Sequence, residues 1–415
     1  MEIRSVTCFL EQSWPLDEGL LARAGVLGEA ARESFARTGL PVQTIRLATQ
    51  PFPQLLTGCP PQTAIALASS LEAACQAHSL DYCSLGPVPA QELGKGMGCW
   101  IEVIPQLIQA TESIFASAQV ATRQAGIAPA AIERAAWAIK RISEGTEQGF
   151  GNLRFAALAN CLPGSPFFPV AYRGGGPPTF AIATESADLA VAAFAEARDW
   201  SEGRKRLIEA IESHARRITA VAEELATQHH FRFRGIDFSL APFPEVEKSI
   251  GEAIEQLTGT RFGEHGTLFA VATLTDGLRA ARFPRCGFSE VMLPVLEDAV
   301  LARRSVEHTY TLDSLLLYSA VCGTGLDTIP LPGEVSEAQL AAILLDVATL
   351  AVALDKPLTA RLMPIPGKAA GDLTDFGFSY FAPACVFEPL SRPGPGALER
   401  LVSCHPFRIQ ERGTA

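Results

Sequence analysis

No long hydrophobic run occurs in this chain. Its longest apolar stretch, Leu340 to Leu354, is broken by Asp346 and falls short of the roughly 18 to 20 residues that cross a bilayer. The opening residues, Met1-Glu2-Ile3-Arg4-Ser5-Val6-Thr7, are too polar for a secretory signal. A soluble, cytoplasmic protein is therefore expected. Basic residues are scarce beside acidic ones: 34 Lys and Arg against 45 Asp and Glu leave a formal net charge of −11. That charge repels nucleic acid and anionic membranes at long range, so neither is an expected partner. A local basic pocket would still suit a small anionic metabolite.

The ten cysteines include no C-x-x-C pair, which removes the usual signatures of structural zinc and of a redox dithiol. They read as reduced thiols packed like small hydrophobes. A P-loop, a Gly-x-Ser-x-Gly elbow and a His-Glu-x-x-His helix are also missing. Gly94, Gly96 and Gly98 fail the dinucleotide fingerprint, because the last glycine comes one residue early and Cys99-Trp100 follows it. They are read as a loop.

What is present is ample core material: 415 residues, 48% of them hydrophobic. Short apolar runs (Ile3 to Phe9, Thr44 to Leu47, Arg154 to Ala159) alternate with helical patterns. The helical patterns are Gly19 to Thr38, Pro60 to His78, Ala130 to Glu144, Ala187 to Glu196, Ser201 to Thr227, Pro244 to Thr258 and Ser336 to Ala353. Such alternation predicts βαβ units, a largely parallel sheet and an α/β fold. A single domain over 1–415 is expected, with a loop-rich insertion near 162–178. Either a closed barrel or a large doubly wound sheet would accommodate so many units.

Several polar residues stand out against this apolar background. Asp237 lies in Gly235-Ile236-Asp237-Phe238, where an acid needs a partner or a cation. His265, between Glu264 and Gly266, sits where a general acid or base can work. Glu297 and Asp298 precede a helix-like segment, and charge pairing with the helix N-terminus explains them as well as a site does. In Cys322-Gly323-Thr324-Gly325-Leu326-Asp327, Gly323 and Gly325 free backbone amides for an anion, Cys322 offers a nucleophile and Asp327 a proton acceptor; a tight structural turn is the rival account. Arg361 and Lys368, ahead of Asp372, suit a carboxylate or phosphate. Asp237, Glu297, Asp298 and Asp372 supply the hard oxygen ligands that magnesium or calcium prefers.

Ile3 to Thr7, Gly235-Ile236-Asp237 through Ala241-Pro242, His265-Gly266-Thr267, Glu297-Asp298, Cys322 through Asp327 and Arg361 through Asp372, taken in order, resemble a bacterial and archaeal family catalogued as domain of unknown function seven hundred and eleven. The likeness covers nearly the whole chain. It implies kinship with pyruvate formate-lyase-like proteins, hence a closed barrel of about ten strands surrounded by helices, entered at one end by substrate, and homodimeric like relatives of that barrel. Glycyl-radical relatives need an Arg-Val-x-Gly-aromatic motif near the C-terminus; the tail from Cys404 to Ala415 has none, with Gly413 too near the end. After Asn160 and Pro166-Phe167, where many members carry a histidine before glycine, this chain has Tyr172-Arg173-Gly174. That change adds positive charge and places Asn160 and Arg173 among the residues expected to contact an anion. The function expected is non-radical acid–base chemistry on a small anionic metabolite, with a catalytically silent binding or regulatory protein as the alternative.

Overall fold

Strands form where β-branched and aromatic residues cluster, and helices where alanine and leucine recur at helical spacing. The computed structural model describes residues 1–90, 99–390, 394, 396, 400 and 406–409. Its strands are β1 (Glu2–Phe9), β2 (Val42–Ala48), β3 (Tyr82–Val88), β4 (Ile114–Thr122), β5 (Gly126–Ile127), β6 (Phe155–Ala159), β7 (Thr179–Glu185), β8 (Arg232–Asp237), β9 (Gly325–Pro332) and β10 (Leu358–Ile365). All ten join one mixed sheet in the order β8-β7-β1-β2-β3-β4-β6-β10-β9, with β5 paired to β4.

The sheet has two blocks of opposite direction. β1, β2, β3, β4 and β6 pair in parallel. β7 and β8 are parallel to each other and antiparallel to β1; β9 and β10 are parallel to each other, and β10 is antiparallel to β6. Parallel neighbours need a crossover, and helices Glu18–Arg37, Thr63–Ala77, Trp200–His229 and Glu337–Ala353 supply it. The two edge strands approach one common segment. Ile236 bridges Arg285, Leu240 bridges Val291, and Pro294 bridges Asp327, all in the parallel sense.

Side chains alternate across a strand, and here both faces are buried. From β6, Phe155, Ala157 and Ala159 enter the main core shared with the helices, while Ala156 and Leu158 join Cys161, Val170 and Met292 on the other face. Phe9, Ala48, Phe115, Phe168, Ala171 and Ala181 form a further cluster. The proline- and glycine-rich segment 162–178 thus packs against the sheet instead of hanging off it. Ser84 Oγ donates to the Ala171 carbonyl at 2.7 Å, and the Arg173 amide to the Thr49 carbonyl at 2.8 Å.

Most expected elements occur within a few residues of their sequence limits. A further continuous apolar run, Leu268 to Leu274, lies in the helix Thr267–Ala280. Its buried residues Ala270, Val271, Leu274 and Leu278 recur at helical spacing while Leu268 and Phe269 are exposed, so the 3.6-residue period overrides a locally continuous apolar stretch. Gly94, Gly96, Gly98, Cys404, His405 and residues 410–415 lie outside the described residues.

Gly325 opens β9 with φ +91°, and a Cβ there would stand 2.5 Å from the Thr359 carbonyl oxygen of β10. Strain and steric overlap act together, so Gly325→Ala should lose roughly 2–5 kcal/mol of stability, read from the urea midpoint. An unchanged midpoint would contradict this packing of β9 on β10.

Candidate functional site

Along β2, Ile45 and Leu47 enter the main core, which leaves Thr44 and Arg46 on the other face. They point into a cavity of about 110 Å³. Strands contribute Arg4 of β1, Tyr82 of β3, Phe115 of β4, Thr184 of β7, Asp237 of β8, Asp327 of β9 and Arg361 of β10; Glu297 lies between Pro294 and the helix Ala299–Val306. Phe167 and Phe168 come from the segment folded against the sheet, and Phe378, Tyr380 and Phe381 from a loop after β10.

Charges on this wall form a chain. Glu297 accepts from Arg4 Nη2 through Oε2 at 2.6 Å and from Arg361 Nη2 through Oε1 at 2.8 Å. Arg361 Nε donates to Asp327 Oδ1 at 2.6 Å, and Arg4 Nη1 to Glu185 Oε2 at 3.2 Å. Burial works against the Arg361 charge, but Asp327 and Glu297 outweigh it and hold its pKa above the ordinary value. Arg361 also lies over the Phe167 ring, 5.7 Å from its centroid. Two guanidinium groups are therefore ion-paired with protein carboxyls.

Arg46 is different. Among the described residues no carboxylate ion-pairs with it; its Nε donates to Thr44 Oγ1 at 2.8 Å, and its guanidinium lies 5.1 Å from the Phe168 centroid and 5.7 Å from that of Tyr82. Burial, and next the repulsion of Arg4, lower its pKa to about 10. It stays charged at neutral pH, with Tyr82, Glu297 and Asp81 offsetting only part of that cost through space.

Asp237 is the other group with its own chemistry. Its Oδ1 accepts from Ser239 Oγ at 2.6 Å and the Ser289 amide at 2.8 Å, and its Oδ2 from the Phe288 amide at 3.0 Å. Burial nonetheless pushes its pKa above the usual carboxylate range. Gly287 makes this approach feasible, since a Cβ there would lie 2.0 Å from Asp237 Oδ2.

Of the residues singled out from sequence, Asp237, Glu297, Asp327 and Arg361 meet at the cavity and the others do not. Asp298 is buried behind it, where it caps two helices: its Oδ1 accepts from the Val300 and Leu301 amides at 2.9 Å, and its Oδ2 from the Ile250 amide at 2.6 Å. His265 is exposed on the loop before the helix Thr267–Ala280. Cys322 is buried, with burial raising its thiol pKa. The Gly323 amide donates to the Val291 carbonyl at 2.7 Å. With Gly325 it serves a turn whose carbonyls at Ser319, Ala320 and Cys322 are capped by the buried Lys356 ammonium.

Asn160 bridges the Arg123 amide, at 2.6 Å, and the Ala351 carbonyl, at 2.8 Å. Arg173 pairs with Glu11 at 3.0 Å beside a separate surface hollow. Lys368 and exposed Asp372 sit in a turn that Asp372 closes by accepting from the Ala369 amide at 2.7 Å. The carboxylate set expected for magnesium or calcium therefore does not assemble. Among the described residues no three His, Cys, Asp or Glu side chains gather as a metal site, because guanidinium and amide donors already hold the acids that are close.

Sequence reasoning assigned no role to Arg46, Tyr380 or Phe378. The signal for Arg46 was available: in Thr44-Ile45-Arg46-Leu47, strict alternation puts a threonine and an arginine on one face of a strand whose other face is core. Nothing local marks the loop at 378–381, which reaches the cavity only through the fold.

Removing one partner from a buried ion-pair chain strands the others. Arg361→Met should lose about 3–5 kcal/mol in chemical unfolding, by leaving Asp327 and one oxygen of Glu297 unpaired. A variant as stable as the parent would show that these groups are solvated or paired elsewhere.

The family model described as Uncharacterised ACR (DUF711) matches residues 1–382. A UPF0210 protein of Pyrobaculum arsenaticum is 32% identical over 398 residues, covering 90% of this chain and 87% of the relative. UPF0210 proteins of Methanococcoides burtonii and Neisseria gonorrhoeae are 29% and 28% identical, covering 82% and 84% of this chain and 77% and 79% of their own lengths. The likeness thus takes in every strand of the sheet and all the residues that wall the arginine cavity, and the chain belongs to the DUF711 (UPF0210) family.

Proposed function

We propose that the cavity binds a small organic anion and acts on it by non-radical acid–base chemistry. The observation that carries this is Arg46, a guanidinium facing the cavity with which no carboxylate ion-pairs among the described residues. A half-buried cation without an ion-pair partner is less favourable in the free protein than when a ligand supplies the opposite charge. The planar fork of arginine fits a carboxylate in two parallel hydrogen bonds.

Asp237 is assigned the proton-transfer role in place of exposed His265. It lines the same cavity, and its raised pKa lets it carry a proton to higher pH than a free carboxyl does. No cysteine is among the described residues lining the cavity, where the polar groups are carboxyls, guanidinium groups, phenols, the hydroxyls of Thr44, Thr184 and Ser239 and the Gln43 amide. In this proposal the sheet closes into a barrel through the segment 285–294. Support comes from the parallel bridges to both edge strands and from a cavity to which strands β1, β2, β3, β4, β7, β8, β9 and β10 all contribute.

Thermal melting against a panel of monocarboxylates, dicarboxylates and phosphate esters tests the proposal. An anion at about a hundred times its Kd should add about 2.7 kcal/mol of stability. Arg46→Met should abolish that gain while melting, without ligand, no lower than the parent. A ligand effect that survives Arg46→Met would refute the assignment.

The pH dependence follows from the sign of the Asp237 shift. Its carboxylate is formed only as pH rises above the ordinary range near ~4 through the raised value, and once formed it repels an anion. Affinity should therefore fall with rising pH across that interval, and Asp237→Asn should flatten the profile. Turnover of the bound anion that needs Asp237 marks an enzyme; binding that needs Arg46 but no turnover marks a silent binding protein.

A further inference from the structure

Resting on the anion proposal above, we infer that the ligand is a monocarboxylate with an aromatic or otherwise planar apolar body, and not a phosphate ester or a polycarboxylate. Charge fixes the first half of this statement. Arg4 and Arg361 are already ion-paired with Glu185, Glu297 and Asp327, so among the described residues lining the cavity Arg46 is the guanidinium without an ion-pair partner. One guanidinium matches one carboxylate. A phosphate monoester brings nearly two negative charges at neutral pH, and a dicarboxylate brings two. The second charge would have to be desolvated in a wall that already holds Asp237, Glu297 and Asp327, with no further unpaired cation among the described lining residues to meet it.

Surface chemistry fixes the second half. Seven of the 24 lining residues are aromatic, against 8% of the chain, so the wall is far richer in rings than composition alone would make it. Tyr82, Phe115 and Phe168 pack edge to face at centroid separations of 5.5 and 5.2 Å, and the Arg46 guanidinium lies over Tyr82 and Phe168. That stacking fixes the guanidinium plane against rings, so a carboxylate bound in the plane would hold its body beside aromatic faces. The loop after β10 adds Phe378 and Tyr380, with centroids 5.3 Å apart. A hydrophilic polyanion would desolvate these rings and gain nothing from them. An apolar body gains from every part of its surface that leaves water.

The test is isothermal titration at pH 7 with four probes: 3-phenylpropanoate, acetate, succinate and inorganic phosphate. The expected result is 3-phenylpropanoate binding at least about tenfold more tightly than the other three, from the apolar area its ring removes from water. Arg46→Met should remove that binding, with circular dichroism confirming that the variant is folded. Phe378→Ala, on the partly exposed loop, should narrow the preference for the ring-bearing probe without removing the Arg46 requirement. If succinate or phosphate binds most tightly and needs Arg46, the aromatic monocarboxylate class is overturned while the anion proposal stands. If 3-phenylpropanoate binding survives Arg46→Met, or if none of the four binds at millimolar concentration, both are overturned.

Discussion

The charged wall of the cavity depends on Glu297. Each of its oxygens takes a different arginine, Arg4 from β1 and Arg361 from β10, and those arginines reach on to Glu185 in β7 and Asp327 in β9. Three carboxyls and two guanidinium groups alternate along this chain, so each charge has an opposite neighbour. Such a chain adds little net stability over a well-packed apolar core, yet it strongly penalises any arrangement that leaves one member unpaired. It therefore selects one relative placement of four strands and of the segment that follows Pro294. It also engages two of the three arginines among the described residues lining the cavity, which leaves Arg46 without an ion-pair partner there.

Arg46 and the ion-pair chain answer different demands. Arg361 is held charged by its partners, whereas the Arg46 pKa is brought down by burial and by Arg4. A residue that the folded chain stabilises and one that it merely tolerates can both look like a strand arginine in sequence. Sites for ligands are expected to contain the second kind, because a group already satisfied by the protein has nothing left to offer.

Much of the fold was legible because it rests on local periodicity. The alternation in Ile3 to Phe9 and the helical spacing in Ser201 to Thr227 mark β1 and the helix Trp200–His229 to within a few residues. The two antiparallel seams were not legible, since strand direction depends on how far-apart segments meet and no residue in β7 or β10 records it. Of the site, Asp237, Glu297, Asp327 and Arg361 stood out as ionisable groups in apolar company, and burial is what makes such groups conspicuous. Asp298 had the same appearance but caps helices, and Gly323 and Gly325 serve close backbone packing. Sequence alone does not separate these uses, because each is a way of satisfying the same buried polar atom. The aromatic loop was invisible for the opposite reason: Phe378 and Tyr380 look like ordinary hydrophobic residues until the fold brings them over the cavity.

The central claim is that Arg46, without an ion-pair partner among the described residues, is held for an incoming anion. Crystals of the protein soaked in bromide test it directly, because anomalous scattering locates the ion without knowledge of the natural ligand. The account predicts a bromide peak in hydrogen-bonding contact with the Arg46 guanidinium, inside the cavity bounded by Tyr82, Phe168 and Asp237. Bromide found only on the outer surface, with Arg46 closed onto a protein carboxylate, would contradict it.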